Sequence, residues 1–312
     1  MNIASLDIGS NTILLLIAET DNSSKRIITL REELRIPRIG AGITPNSPIK
    51  QEKVDLLFKT LSEYKDIIAE YSCNKVIVTA TNAFRIASNA IELVKIIKSE
   101  LDLDITIVTG KDEAKLSYLG AISSFPDEAN YLVIDIGGGS TEIISGYRNE
   151  IKFSESYPVG AINLTERFSI KQPLILTEIK RFTEFVKRIF SELDRNNIFT
   201  GKTIAIAGTP TILACIKQSL IEYDESIIEG SILTKSEIQE FVEILSKLTP
   251  DEIRTKFGGV VSGREDVLFA GTTILHTLIE YLNISEVVVS TKGIRYGAII
   301  NYLTKSSNDA TN

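Results

Sequence analysis

Two short segments of the sequence combine a carboxylate, a glycine turn and hydroxyl side chains. DIGSNT carries Asp7 at the end of an apolar run, and DIGGGSTE carries Asp135 in the same place. Turns of this kind point successive backbone N–H groups outward, where they bind phosphate oxygens. Carboxylates at strand ends are hard oxygen ligands suited to Mg²⁺ or Mn²⁺, so Asp7 and Asp135 are the predicted metal ligands. The predicted phosphate-binding residues of the two turns are Ser10, Asn11, Thr12, Gly137, Gly138, Gly139, Ser140 and Thr141.

Both segments belong to a longer internal repeat. IASLDIGSNTILLLI (3–17) and YLVIDIGGGSTEIIS (131–145) each contain an apolar strand that ends in Asp, a glycine turn and a second strand after Thr. A single Asp-x-Gly is also an ordinary hairpin turn. Two copies that open equivalent halves of the chain instead indicate a duplication with two related domains. Two facing phosphate-binding hairpins, each with a carboxylate, describe a cleft for phosphoryl transfer.

A third anion site is predicted where an apolar strand meets a helix at Gly208 and Thr209. The first N–H groups of a helix have no partner inside the helix, and they bind anions. Thr followed by Pro is also an ordinary helix start, so this segment alone does not decide between capping and ligand binding.

Hydrophobic periodicity places these segments in an alternating α/β chain. Three strands open the sequence, and the order β-β-β-α-β-α-β-α restarts at Tyr131. A polar C-terminal tail is predicted to be disordered. The predicted domains are 1–124 and 125–292. Helix 293–304 is predicted to pack back on the first domain, and the disordered tail covers 305–312. Other predicted elements include strand 104–110 and helices 112–122, 176–196 and 263–283.

Composition excludes several classes of protein. The 312 residues carry a formal net charge of -7, which does not favour nucleic-acid binding, and no apolar stretch is long enough to predict a membrane span. The two cysteines provide neither a disulfide framework nor a metal cluster, which is typical of the cytoplasm. His276 is the only histidine, so a multi-histidine zinc site is impossible, and its apolar helical surroundings favour a packed core position.

A series of blocks along the chain resembles the Ppx/GppA family of exopolyphosphatases and guanosine pentaphosphate phosphohydrolases. The resemblance covers residues 3–300 and matches the short two-domain form of the family. It implies an α/β fold of two ribonuclease H-like domains with mixed sheets and a central cleft, the fold of the actin-like ATPase and sugar kinase superfamily. The blocks are DIGSNT, ATNAFRIASNA, TGKDEAKLSYLG, DIGGGSTE, PVGAINLTERF, AGTPTILA, GREDVLFAG and GIRYGAI.

The resemblance also implies roles for individual residues. Glu113 matches the family's catalytic glutamate, which would activate the attacking water, and Glu142 matches a second acid near the reacting phosphate. Arg85 matches an arginine near the substrate. From the residues alone, Glu113 is an acid in the first turn of a helix, where acids are common for dipole reasons. Arg38 is a further predicted phosphate ligand, because the planar guanidinium suits bidentate phosphate contacts.

Four positions depart from the usual family pattern. Asn163 stands where the block usually has Arg, and Ala41 where it usually has Glu. Thr291 and Tyr296 replace acids in the block that reads STKGIRYG here. These changes leave the implied fold intact and affect the expected binding path of the substrate.

The function implied is that of an exopolyphosphatase, which removes terminal phosphate from inorganic polyphosphate with Mg²⁺ and a water activated by Glu113. Guanosine pentaphosphate is the alternative substrate. A kinase or a nucleotide-binding scaffold of the same fold group is the third reading, and a water-activating glutamate argues against both. The resemblance further implies a homodimer.

Overall fold

A computed structural model of the protein describes residues 1–20, 26–126, 129–194, 198 and 201–309. The chain divides into two compact units. Unit 1 comprises Met1–Ser123 and Lys292–Asn312, and unit 2 comprises Ser124–Thr291.

Unit 1 is built on a five-stranded mixed sheet with the order β3-β2-β1-β4-β5. The first three strands are antiparallel neighbours, and β4 and β5 run parallel to β1. Apolar residues of β1 are completely buried, which is typical of a central strand covered on both faces. The elements are β1 (Asn2–Ile8), β2 (Ile13–Thr20), β3 (Ile27–Arg35), α1 (Gln51–Glu70), β4 (Lys75–Ala80), α2 (Asn82–Ile86), α3 (Ala90–Leu101), β5 (Ile105–Ile107), α4 (Gly110–Ile122) and, from the end of the chain, α12 (Ile294–Asp309).

Unit 2 repeats this arrangement with one additional edge strand, in the order β10-β11-β9-β6-β7-β8. Again three antiparallel strands come first, and β9 and β11 then run parallel to the central strand β6. The common topology of the two sheets is the structural counterpart of the sequence repeat. The elements are β6 (Asn130–Ile136), β7 (Thr141–Tyr147), β8 (Glu150–Tyr157), α5 (Ala161–Phe168), α6 (Leu176–Phe190), β9 (Lys202–Ile206), α7 (Gly208–Lys217), α8 (Glu225–Ile228), β10 (Ile232–Thr234), α9 (Lys235–Ser246), α10 (Pro250–Phe257), a 3-10 helix (Gly258–Val261), α11 (Leu268–Tyr281) and β11 (Glu286–Val289).

Each unit has its own hydrophobic core. In unit 1, α1 and α3 cover one face of the sheet, while α12 packs on the other face through Tyr296, Ile299 and Leu303, which contact Ile3 and Leu16. In unit 2 the most buried helix is α11, whose apolar residues form the core together with β6, β9 and β11. Burial of these apolar side chains is the main stabilising term for both sheets.

Several elements differ from their predicted limits. Strand β5 is short because Thr109 caps α4, whose first residue is Gly110. Helix α11 begins at Leu268 instead of 263, because Gly263 has a positive φ of 76° that interrupts a helix. Helix α6 ends at Phe190, and part of its predicted extension to 196 lies outside the described residues. The elements α8, β10, α10 and the 3-10 helix were not predicted.

The C-terminal helix is longer than predicted. It continues to Asp309, and the hydroxyls of Thr304 and Ser306 donate hydrogen bonds to carbonyls one turn earlier. The predicted disordered tail was 305–312, of which 310–312 lie outside the described residues.

Among the helices described, none is both long enough and apolar enough to cross a membrane.

Candidate active site

The glycine turn of unit 2 is a tight hairpin between β6 and β7. It is closed by a hydrogen bond from Gly137 N–H to Ser140 O of 2.9 Å. The start of α5 then binds its carbonyls: Ala161 N–H donates to Gly137 O at 3.0 Å, and Ile162 N–H donates to Gly138 O at 2.9 Å. The helix end and the hairpin therefore satisfy each other's backbone groups.

This arrangement decides the direction of the hairpin's N–H groups. In a trans peptide the C=O and N–H point to opposite sides. Because the carbonyls of Gly137 and Gly138 point toward α5, the N–H groups of Gly138 and Gly139 point away from it. Within the described part of the chain, neither they nor Ser140 N–H donate to any acceptor. Three successive donors without acceptors form a nest, the kind of backbone arrangement to which phosphate oxygens bind in other proteins.

Unit 1 contains the same device in the DIGSNT turn. Gly9 N–H donates to Thr12 O at 2.9 Å, which closes the hairpin between β1 and β2. The following loop binds the hairpin carbonyls: Arg38 N–H donates to Asn11 O at 3.1 Å, and Gly40 N–H donates to Ser10 O at 2.8 Å. The predicted ligands Ser10, Asn11, Thr12 and Arg38 are thus neighbours in unit 1.

A glycine is required where the second segment approaches each hairpin. A Cβ on Gly160 would lie 2.5 Å from the backbone of Gly138, and a Cβ on Gly40 would lie 2.6 Å from Ser10 Cβ. Both distances are too short for a side chain. The backbones can therefore meet only because these two positions are glycine.

The two acids of DIGGGSTE lie directly opposite each other. Asp135 on β6 pairs in register with Glu142 on β7, so both side chains are on the same face of the sheet. Glu142 is buried and accepts a hydrogen bond of 2.7 Å from Ser156 Oγ on β8. Two neighbouring carboxylates repel each other when both are ionised, and a bound cation removes that cost.

Glu113 is buried and forms an ion pair with Arg85. The carboxylate accepts a hydrogen bond from Arg85 Nη1, which also donates to Val108 O at 3.3 Å. The capping function that the sequence also allowed for Glu113 belongs to its neighbours: Thr109 Oγ1 accepts from Asp112 N–H at 3.1 Å and donates to the Asp112 carboxylate. Glu113 is therefore not needed to cap α4.

The pKa of Glu113 reflects two opposing effects. Burial raises the pKa of the carboxyl above its ordinary value, because a charge loses hydration in the interior. The positive charge and hydrogen bond of Arg85 act in the opposite direction. Arg85 thus favours the ionised form, which can accept a proton.

Topology explains why Glu113 and Arg85 lie near the DIGSNT turn. The strands β1, β4 and β5 are parallel, so their carboxyl ends share one edge of the sheet. The hairpin at Gly9, the helix that carries Arg85 and the start of α4 each follow one of these strands. Backbone bonds from Thr81 N–H to Ile8 O and from Val108 N–H to Ala80 O connect the three segments.

The sequence matches the profile of the Ppx/GppA phosphatase family over residues 16–306. The chain belongs to this family. It is accordingly a hydrolase of the phosphoanhydride-cleaving class.

Curated relatives and solved structures agree with this assignment. A bifunctional 3-dehydroquinate synthase/phosphatase from Fusobacterium nucleatum is 32% identical over 95% of this chain, although the match spans only 46% of that protein's length. Exopolyphosphatase 2 from Mycobacterium tuberculosis is 28% identical, with 96% of this chain and 98% of the relative covered. The crystal structure of an exopolyphosphatase from Cytophaga hutchinsonii superimposes with a TM-score of 0.88 at 26% identity, covering 98% of both chains. The Aquifex aeolicus member of the Ppx/GppA family gives a TM-score of 0.84 at 29% identity, again over 98% of both chains.

Each unit, taken by itself, offers oxygen donors of the kind that Mg²⁺ binds. Asp135 and Glu142 supply two hard oxygen donors in unit 2, and Asp7 supplies one in unit 1. Asn11 is buried, and its Oδ1 makes no hydrogen bond in the part of the chain described, which leaves a buried acceptor suited to a cation or its water. Among the described residues no group of three His, Cys, Asp or Glu could hold a metal. Mg²⁺ commonly takes one or two carboxylates and completes its shell with water and substrate phosphates.

An arginine lies at the start of α7, where the sequence predicts an anion site. The helix begins at Gly208, and the guanidinium of Arg264 lies against it so closely that a Cβ would be 1.3 Å from Nη1. Thr209 is buried, and its Oγ1 packs against Gly271 of α11. The Thr209 hydroxyl is therefore packed inside unit 2, while the Arg264 guanidinium and the first backbone N–H groups of α7 lie at the predicted anion site. The block GREDVLFAG was the signal that could have identified Arg264.

The structure gives Thr141 a structural contact. Its hydroxyl is buried and donates to Val159 O at 2.6 Å, so its proton is already used inside unit 2. Thr141 was predicted as a phosphate ligand from its place in DIGGGSTE. The neighbouring Ser140 is part of the hairpin itself and is not buried.

Two departures from the family pattern have a local explanation. Thr291 donates its N–H to Glu229 at 2.6 Å, and its Oγ1 lies 2.9 Å from Glu225. An acid at position 291 would repel both glutamates. Tyr296 is buried in unit 1, where its hydroxyl lies 2.8 Å from Thr29 Oγ1.

His276 is half-buried on α11, as expected for a packed histidine. Burial lowers the pKa of its imidazole, although the nearby Glu280 opposes this. The mechanism proposed below does not use it.

Proposed function

We propose that this chain is an exopolyphosphatase that releases terminal phosphate from inorganic polyphosphate. The observation that carries the proposal is the buried Glu113–Arg85 pair, in which Arg85 favours the ionised form that can act as a base, in a chain of the phosphatase family. Relatives whose names state this activity match almost the entire chain. The two hairpins, with their outward N–H groups, are suited to the charge of a phosphate chain.

In the proposed reaction Glu113 accepts a proton from a water molecule. The water oxygen forms a bond to the terminal phosphorus, and the bond from that phosphorus to the bridging oxygen breaks. The products are inorganic phosphate and a chain shortened by one phosphate. In unit 1, Arg85 favours the ionised form of Glu113 before proton transfer. In unit 2, the N–H groups of Gly138, Gly139 and Ser140 are suited to oxygens of the phosphate chain.

We further propose Mg²⁺, or Mn²⁺, as the cofactor. The candidate ligands are Asp135, which lies opposite Glu142 in unit 2, and Asp7 in unit 1. The ion would neutralise charge that builds up on phosphoryl oxygens. The same donors suit either ion because both prefer oxygen ligands.

Guanosine pentaphosphate is the alternative substrate because its terminal phosphoanhydride presents the same bond. A direct experiment compares phosphate release from polyphosphate, guanosine pentaphosphate, ATP and a phosphate monoester, each with Mg²⁺. We expect polyphosphate to have the highest kcat/KM and the monoester to be inert. A preference for guanosine pentaphosphate would replace the proposed substrate while leaving the reaction class unchanged.

We also propose a homodimer in the cytoplasm. Both cysteines are free thiols, as in a reducing compartment. Light scattering coupled to gel filtration measures the mass directly, and a mass near the 34.5 kDa of one chain would contradict the dimer.

A further inference from the structure

Asn163 is the third residue of α5 and lies beside the phosphate-binding hairpin of unit 2. Its Oδ1 accepts a hydrogen bond of 2.7 Å from Gly160 N–H. Its Nδ2 donates to Gly139 O and, at 3.3 Å, to Pro158 O. One donor and two acceptors surround the amide, so only this orientation of the side chain satisfies all three.

The bond to Gly139 differs from the other contacts of the hairpin. The carbonyls of Gly137 and Gly138 are bound by backbone N–H groups of α5, which any residue supplies. In the described residues, Gly139 O accepts a hydrogen bond only from the Asn163 side chain. The orientation of the Gly139–Ser140 peptide therefore depends on this one side chain.

Glycine peptides rotate easily, because glycine adopts conformations that other residues avoid. Without a bond to Gly139 O, the Gly139–Ser140 peptide can turn and remove Ser140 N–H from the nest. The bond to Asn163 holds the carbonyl toward α5 and consequently the N–H away from it. A donor that is already oriented stabilises developing charge without reorganisation during the reaction.

We propose that Asn163 is a positioning residue that fixes the Gly139–Ser140 peptide, so that Ser140 N–H binds a phosphoryl oxygen of the substrate. The inference rests on the proposed function for the reaction it serves. It gives a role to a position where the family block usually has Arg. Either side chain can donate to Gly139 O, whereas only Asn can also accept from Gly160 N–H.

Three variants separate the hydrogen bond that Asn163 accepts from Gly160 N–H from the one that it donates to Gly139 O. Asn163→Asp keeps the acceptor for Gly160 N–H but cannot donate to Gly139 O. Asn163→Arg can donate but cannot accept, and Asn163→Ala can do neither. Gln172→Ala is the matched control, because Gln172 Nε2 also donates to a backbone carbonyl of unit 2, that of Leu245.

Stability and turnover should rank Asn163→Asp and Asn163→Arg in opposite orders. An acid near a helix N-terminus is favourable, so Asn163→Asp should keep the highest Tm of the three. Its kcat should nevertheless fall at least about tenfold, given that loss of one oriented donor commonly costs about 10²–10³ in kcat. Asn163→Arg should have the lower Tm and a kcat roughly fivefold or more above that of Asn163→Asp. Gln172→Ala should lose stability without losing kcat.

A binding measurement makes the test independent of turnover. In ¹⁵N-resolved NMR spectra, tripolyphosphate should shift the Ser140 amide of the wild-type protein, and this shift should be lost in Asn163→Asp. A kcat for Asn163→Asp within twofold of wild type, or a kcat for Asn163→Asp equal to or above that of Asn163→Arg, would overturn the proposal. If the wild-type protein hydrolyses no phosphoanhydride, the proposed function fails, and the amide shift alone then decides the role of Asn163.

Discussion

Removal of Arg85 should move the acid limb of the pH–rate profile to higher pH. In the ion pair, the side chains of Arg85 and Glu113 are only 22% and 11% exposed, so solvent screens their interaction weakly. An opposite charge this close lowers a carboxyl pKa by about 1–3 units in general. In Arg85→Gln that effect is lost while burial remains, and the pKa of Glu113 should rise further.

In the proposed mechanism, Glu113 acts as a base only when its carboxyl is ionised, so a change in its pKa changes the pH dependence of kcat. As pH falls through the pKa of Glu113, the fraction of active enzyme decreases tenfold per unit. We therefore expect the acid limb of kcat in Arg85→Gln to lie at least about one pH unit above that of the wild type. The assay is phosphate release from a short polyphosphate at saturating substrate between pH 5 and 9, values chosen as roughly the range that brackets a raised carboxyl pKa.

Arg31→Gln is the matched control. Arg31 also pairs with glutamates of unit 1, Glu33 and Glu70, but on the surface of the sheet and α1. Its removal should leave the profile in place. An Arg85→Gln profile with reduced amplitude and an unmoved acid limb would refute the role assigned to the ion pair.

Three further expectations follow from the site. EDTA should abolish turnover, and full activity after chelation would contradict a metal requirement. Asp135→Asn should raise the Mg²⁺ concentration needed for half-maximal rate, with little change in Tm. The apparent KM for long polyphosphate should rise with salt concentration, because salt screens the attraction between the protein's positive charges and the polyanion. The Debye length falls from about 10 Å at 0.1 M salt to about 3 Å at 1 M. A KM that does not depend on salt would argue against electrostatic attraction of the substrate. The pKa of Glu113 is raised in the folded protein, so the protonated carboxyl stabilises the fold. This stabilisation is complete below the pKa of the unfolded chain, near 4.5, and is lost as pH rises through the higher pKa of the folded protein. Within that pH window, the Tm of Glu113→Gln should therefore depend less on pH than the Tm of the wild type.

The duplicated hairpins could be predicted from the sequence because their signals are local. An apolar run, Asp, glycine and a second strand specify the turn within a few residues, and the sheets show this arrangement in both units. The short strand β5 and the start of α4 could also have been read locally. TGKD is a capping sequence, and it identifies Asp112 as the partner of Thr109 and leaves Glu113 for another role.

The remaining features depend on contacts between distant segments. Arg85 and Glu113 are 28 residues apart, and no periodicity indicates that they form a buried pair. The Thr141 hydroxyl donates a hydrogen bond to Val159 O, and the Asn163 side-chain amide donates one to Gly139 O. The partners are 18 and 24 residues apart in the sequence. Side-chain orientation in the assembled sheet decides these hydrogen bonds, so residue type alone could not show that the Thr141 hydroxyl is used inside unit 2.

The central claim is that Glu113 is the base in phosphoanhydride hydrolysis. Its most direct test is kcat for Mg²⁺-dependent phosphate release from a short polyphosphate by Glu113→Gln, with Glu142→Gln measured alongside. We expect kcat to fall by about 10²–10⁴ in Glu113→Gln, the usual contribution of a general base, with KM little changed. Near-normal kcat in Glu113→Gln together with loss of turnover in Glu142→Gln would contradict it and transfer the base to Glu142.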